Sequence, residues 1–166
     1  MLHHNHYKAI VFGHRSQNVA VDQGNIHFSM NEAFTQIDVD PRDGELSFEE
    51  CLYRGFFEEL GLKKELIDTN LEKHHFFGFI MDLEKFEMGL TSYAVLKLDD
   101  NISLGGFKLL NRVAPDANFE TDAMDYIPLN DLENYLEENN DRMSLGARSM
   151  LKYLNLKIRY KHISLH

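Results

Sequence analysis

Apolar residues recur at helical spacing in residues 44–62, GELSFEECLYRGFFEELGL. Phe48, Cys51, Leu52, Phe56 and Leu60 fall on one side of a 3.6-residue period, which predicts a helix with one broad buried face. Ser47 is placed to cap it, and Glu50 stands three positions later, as a capping box requires. Gly61 follows as the glycine beyond the last helical residue. Phe56 and Phe57 are both expected in the core. Glu58 and Glu59 sit at the C-terminal end, where the helix dipole disfavours each negative charge by roughly 0.3–1 kcal/mol. Acids kept in such a place invite a reason, and a metal ion is one.

Elsewhere the period shortens to two. Residues 7–13, YKAIVFG, predict a strand, Val19-Ala20-Val21 a short second one, and Ile26, Phe28 and Met30 alternate with His27 and Ser29 as a third. The polar stretch 36–46 is a loop leading to the helix. Lys63-Lys64-Glu65 is a turn or a short helical piece. Strands are expected over 72–83 and 87–98, with Asp82-Leu83-Glu84-Lys85 turning a hairpin between them. The turn signals of 99–106 lead to a strand from Lys108 to Val113, a loop over 114–122 and a short strand over 124–128. Asn130 is placed to cap a helix over about 131–138, and Ser144 one over about 145–154. Residues 156–165 are a strand or an extended tail. Residues 1–6, with His3, His4 and His6, are expected as a disordered N-terminus, and residues 7–166 as a single domain. The order of strands, helix, strands and helices predicts an α+β fold, an α/β/α sandwich with a mixed or antiparallel sheet.

Composition narrows the functions. A chain of 166 residues is long enough to bury a real core. No apolar run approaches the roughly 18–20 residues of a membrane span, and MLHHNHYK carries no apolar signal core. The single cysteine, Cys51, cannot form an internal disulfide; on the apolar side of its helix it reads as an inert core thiol, suited to a reducing cytoplasm. The net charge of −10 argues against nucleic acid and anionic membranes as partners. Residues 142–166 hold only basic charges (Arg142, Arg148, Lys152, Lys157, Arg159 and Lys161), so the rest of the chain carries the whole acidic excess. An acidic body suits binding of divalent cations, and of phosphates through them; it suits plain solubility equally.

By themselves Glu58 and Glu59 read as a solvated helix end, and Arg54 with Glu58 as a surface pair worth a few tenths of a kcal/mol, ~0.3. Glu120, Asp122 and Asp125 read as loop acids, His74 and His75 as strand-edge histidines or as ligands or a base, and Tyr93 as packing or substrate stacking. No Cys–His metal spacing, glycine-rich phosphate loop or G-x-S-x-G elbow is present in the sequence.

At residues 54–62, RGFFEELGL, the chain resembles the Nudix box, Gly-x5-Glu-x7-Arg-Glu-U-x-Glu-Glu-x-Gly-U, where U is a bulky apolar residue. With Arg54 aligned, Phe56, Glu58, Glu59, Gly61 and Leu62 match as well. The first glycine falls on Asp40, the first glutamate on Leu46, and the glutamate after the arginine on Gly55. Downstream, Tyr126-Ile127-Pro128-Leu129-Asn130-Asp131-Leu132 is similar to a segment found late in that fold.

The resemblance implies a Nudix-like sandwich and a hydrolase that cleaves a nucleoside diphosphate linked to another moiety, using Mg²⁺ or Mn²⁺ and an attacking water. Carried over, Glu58 and Glu59 are metal ligands, Arg54 orients a glutamate through its i,i+4 pairing with Glu58, and Glu120 is a further ligand or base. Nudix folds often dimerise, so a homodimer is possible in principle. The departure at Gly55 leaves an acid missing, and a glycine there costs the helix about 1 kcal/mol against alanine. Either something packs close against the helix, or nothing selects against the residue. Another acid entering the same space would repair the site; Glu32 is the first candidate for that metal ligand, and Glu45 the second. The alternative is a catalytically silent Nudix-fold module that binds a nucleotide-like ligand or a protein partner, which Gly55 and Leu46 favour.

Overall fold

Strand β2 (Tyr7–Arg15) is buried on both faces through residues 9–13. Its alternating side chains part to opposite sides, Ile10 and Phe12 to one core and Val11 to another. A strand with two buried faces needs helices on both sides, and the chain supplies them. The computed structural model describes residues 1–4, 7–83, 87–99, 103–117 and 119–160.

On the Val11 side, Leu52, Phe56 and Leu60 of the segment around α1 (Phe48–Glu58) pack with Phe107 of α3 (Leu104–Arg112) and Ile67 of α2 (Lys64–Asn70). On the Phe12 side, Leu132 and Leu136 of α4 (Leu132–Asn139) pack with Leu151 and Leu154 of α5 (Leu145–Arg159) and with Ile26 of β3 (Ile26–Phe28). The sheet is mixed, in the order β3-β2-β1-β5-β4, with β6 (Thr121–Pro128) on the other edge of β2. Strands β4 (Leu71–Asp82) and β5 (Glu87–Lys97) form an antiparallel hairpin, as expected; part of its turn, residues 84–86, lies outside the described residues. The fold is α+β. Among the described residues no helix is long and apolar enough to cross a membrane.

Five expectations need correction. The first residues are not a disordered tail: β1 (Leu2–His4) pairs antiparallel with β2 and parallel with β5, because Leu2 seats its side chain in the core at 1% exposure. His6 lies outside the described residues. Residues 19–21 are a turn rather than a strand; the Gln23 carboxamide donates to the Val19 and Gln17 carbonyls, and Asp22 takes a positive φ of 57°. Residues 108–113 belong to helix α3 and its C-terminal cap. The Gly105-Gly106 pair suggests a turn, yet it lies in a first helical turn where the Ser103 hydroxyl accepts from Gly106 N–H. Asn130 does not cap α4, which follows a 3-10 turn over Leu129–Asp131. Helix α5 runs on to Arg159 instead of giving way to an extended tail, and 161–166 lie outside the described residues. Two ring placements also differ. Phe57 and Phe48 are both exposed, Phe48 with its ring against Phe34 and Phe76.

Candidate functional site

Helix α1 is capped by Ser47 as predicted, but the capping box does not close: Ser47 N–H donates to the Asp38 carbonyl at 2.7 Å, and the Glu50 carboxylate faces Lys64 at 3.5 Å. The Ser47 hydroxyl accepts from Glu50 N–H at 3.3 Å. At the other end Gly61, at φ +71°, donates its N–H to the Phe57 carbonyl at 3.0 Å and stops the helix in the left-handed conformation. No side chain fits there: a Cβ on Gly61 would lie 2.4 Å from the Leu110 carbonyl oxygen of α3. The Asn111 carboxamide donates to the Leu60 carbonyl at 2.7 Å and accepts from the Tyr126 hydroxyl at 2.7 Å, so α3 and β6 both anchor the C-terminal end of α1.

Arg54 is the hub of the cluster. Its guanidinium donates to Asp38 twice, at 2.8 and 3.0 Å, to Glu58 at 2.8 Å, to Glu32 at 2.5 Å and to the Ala33 carbonyl at 2.7 Å. The i,i+4 pairing of Arg54 with Glu58 is therefore present, but it is one bond among several rather than a lone surface pair. One nitrogen, Nη1, serves both Glu32 and Glu58, which brings those two carboxylates together. The Arg54 hydrogen bonds hold the Asp38 carboxyl down to about 2. Burial pushes the Glu32 carboxyl up, against the pull of Arg54.

Glu59 lies deeper, at 6% exposure. It accepts from Asn31 N–H at 2.7 Å. Burial raises its carboxyl to about 8, and the nearby charges of Glu32 and Glu120 push the same way, while the Asn31 N–H and Arg15 oppose. Glu120 reaches the group from the loop before β6. Its carbonyl accepts from Ser16 N–H at 2.9 Å, and its carboxylate pairs with Arg15 at 3.2 Å. Asp116 N–H bonds the Glu58 carbonyl at 3.0 Å, which ties that loop to the end of α1.

Gly55 faces the segment that carries Glu32. A Cβ there would lie 2.6 Å from Glu32 Cγ and 2.6 Å from Met30 Sδ. Something does pack against this glycine: the stem of Glu32 together with the Met30 side chain. Glu45 lies exposed in the preceding loop, where its carbonyl accepts from Asp40 N–H.

The structure thus gathers Arg54, Glu58, Glu59, Glu32 and Glu120. Asp122 accepts from Gln17 N–H, and Asp125 pairs with His14 and Tyr135 on the opposite face of the sheet. His74 packs edge-on against Phe76, and His75 against Tyr93. Sequence reasoning missed Asp38 and Arg15. Both meet the cluster across long sequence separations and carry no local pattern; the one signal for Arg15 was its place at the end of a buried strand. Cys51 is buried beside the cluster, with its thiol raised to about 11 by burial and by Asp38.

The donors are all carboxylate oxygens, which suit a hard divalent cation, and Glu59 is a buried carboxyl that a nearby cation would stabilise as its anion. In kind the residues fit Mg²⁺ or Mn²⁺. Among the described residues, however, no three His, Cys, Asp or Glu side chains stand arranged as a ligand group. Glu32 and Glu58 each turn one oxygen to Arg54, and Glu120 turns one to Arg15. A cation entering here would compete with two guanidinium groups.

The fold has a solved counterpart. The chain is similar to the crystal structure of DR0079 from Deinococcus radiodurans, with a TM-score of 0.54 and 11% identity, over 92% of this chain and 77% of that one. At that identity the likeness shows the fold alone. No family model matches the sequence, and no curated protein matches it.

Proposed function

We propose that the protein is a Nudix-type hydrolase, dependent on Mg²⁺ or Mn²⁺, that cleaves a nucleoside diphosphate linked to another moiety, with Glu32 standing in for the glutamate absent at Gly55. The observation that carries this reading is the fit of Glu32 over Gly55. Its Cγ shares the space of the missing side chain with Met30, and its carboxylate shares Arg54 Nη1 with Glu58. The acid is relocated to the segment following β3 rather than lost.

Glu58, Glu59 and Glu120 would hold the cation once Glu58 and Glu120 turn from their arginines, with Glu32 as a further ligand. The cation would polarise the diphosphate and make bound water a better nucleophile. Arg54 orients Glu32 and Glu58 and fixes the 32–38 segment through Ala33 and Asp38. Asn31 N–H holds one oxygen of Glu59. The buried thiol of Cys51 and the acidic body fit a cytoplasmic enzyme that handles phosphates through metal ions.

The closure of the acids on two arginines favours a second reading, a silent module of the same fold that binds a nucleotide-like ligand or a protein partner. A panel of diphosphate-linked nucleotides, assayed with Mg²⁺ or Mn²⁺ for phosphate-containing products, separates the two. The hydrolase reading expects turnover that falls in both Glu59→Gln and Glu32→Gln. Absence of turnover across the panel, with no metal-induced rise in Tm, supports the silent module.

A further inference from the structure

The sheet is open between its two halves. Strand β2 pairs with β1 up to Ala9 and with β3 only from Phe12 onward, so Ile10 and Val11 lie between the two partners on that edge. Here a cavity of about 800 Å³ is bounded by Phe34, Phe48, Phe76 and Phe79, with Arg15 and Glu32 where it meets the acid cluster. That volume suits a small organic ligand. The rings form a connected wall: Phe34 meets Phe48 edge-on at 4.8 Å, and Phe48 meets Phe76 at 5.5 Å. Phe34, Phe48 and Phe79 remain exposed, so apolar surface that a ligand would cover is left to water.

Arg15, which lines the same cavity, carries a second feature. Arg15 spends Nη1 on Glu120, yet its Nε is buried and has no acceptor among the described residues. A buried guanidinium donor without an acceptor is costly, and a ligand oxygen would satisfy it.

We propose that this cavity binds the apolar organic group of a phosphate-bearing ligand, an aromatic or branched hydrocarbon group rather than a sugar, with Arg15 Nε donating to the oxygen that joins this group to the phosphate. This deepens the hydrolase reading and rests on it for what happens at the phosphate; the binding rests on the cavity and Arg15. Glu120, paired with Arg15, and Glu59 close by disfavour a bare anion, so the phosphate enters with its cation.

The test uses 1-naphthyl phosphate and ribose 5-phosphate as probes, titrated against the full chain by calorimetry in Mg²⁺ and in EDTA. The naphthyl probe is expected to bind one-to-one in Mg²⁺ and about tenfold or more tighter than the ribose probe. Phe48→Ala and Phe34→Ala, each checked for an unchanged circular dichroism spectrum, are expected to weaken the naphthyl probe and leave the ribose probe alone. Arg15→Lys keeps the charge but removes the Nε donor, and is expected to weaken the naphthyl probe. Equal affinity for the two probes, or naphthyl binding unchanged in both phenylalanine variants, overturns the proposal. Hydrolysis of the nucleotide panel without ring selectivity removes the cavity assignment and keeps the hydrolase reading. Ring-selective binding that is the same in Mg²⁺ and EDTA, with an inactive panel, upholds the cavity and removes the hydrolase reading.

Discussion

A side chain at position 55 would meet the stem of Glu32 and the sulfur of Met30, each at 2.6 Å. Restoring the box glutamate with Gly55→Glu should therefore destabilise the protein, by about 2 kcal/mol for an overpacked site. Combining it with Glu32→Ala removes one of the two stems in the way and leaves Met30, so the double variant should recover part of that loss in urea denaturation. Additive costs in the double variant would show that the two positions do not compete for one space. Asp38 supports the same hub from below. Its carboxyl is buried and held at about 2, below the ordinary value of 3.8, so it adds stability that is full above pH 4 and is lost as pH falls towards 2. Asp38→Asn should cost about 2 kcal/mol at pH 7, and the gap from wild type should narrow in denaturation curves between pH 4 and pH 2. Gly55 is visible in the sequence as a glycine in a costly place, which left open a close neighbour or a position under no selection. The identity of the neighbour is a matter of tertiary contact. Asp38 reaches Arg54 from a loop without periodicity, and no pattern of residue types marks such a contact in advance.

At the scale of elements, α1 is set by its two ends. Ser47→Ala removes the hydroxyl that accepts Glu50 N–H and should cost about 1 kcal/mol. Gly61→Ala should cost more, about 3 kcal/mol, because it adds left-handed backbone strain to a Cβ placed 2.4 Å from the Leu110 carbonyl oxygen. Urea midpoints of the two variants test that order. These ends were legible because capping is written in consecutive residues. The helix at Leu104–Arg112 was not, since Gly105 and Gly106 carry a turn signal that Ser103 and the burial of Phe107 override. The strand at Leu2–His4 was hidden for a related reason. One apolar residue among histidines has no period, and only pairing with β2 and β5 makes it a strand. Where a local signal and a tertiary contact conflict, the contact decides.

For the whole molecule, the layered α+β arrangement follows from strands that alternate beside helices with one apolar face. The doubly buried β2 then fixes which helices lie on which side. That arrangement carries Glu32, Glu58, Glu59 and Glu120 to one place from three separate segments. The resemblance of residues 54–62 to the Nudix box marked Arg54, Glu58 and Glu59 as candidates; Arg15 became visible only once β2 and the loop before β6 came together. If the cluster takes a cation, Mg²⁺ should raise the Tm of the wild type and leave that of Glu59→Gln unchanged, measured by thermal scans in Mg²⁺ and in EDTA. The most direct measurement is the rate of diphosphate cleavage across a panel of diphosphate-linked nucleotides, by the wild type and by Glu59→Gln in Mg²⁺. The expected result is turnover of at least one substrate by the wild type, reduced about 100-fold or more in the variant. No turnover of any substrate, or turnover that Glu59→Gln leaves intact, would contradict it.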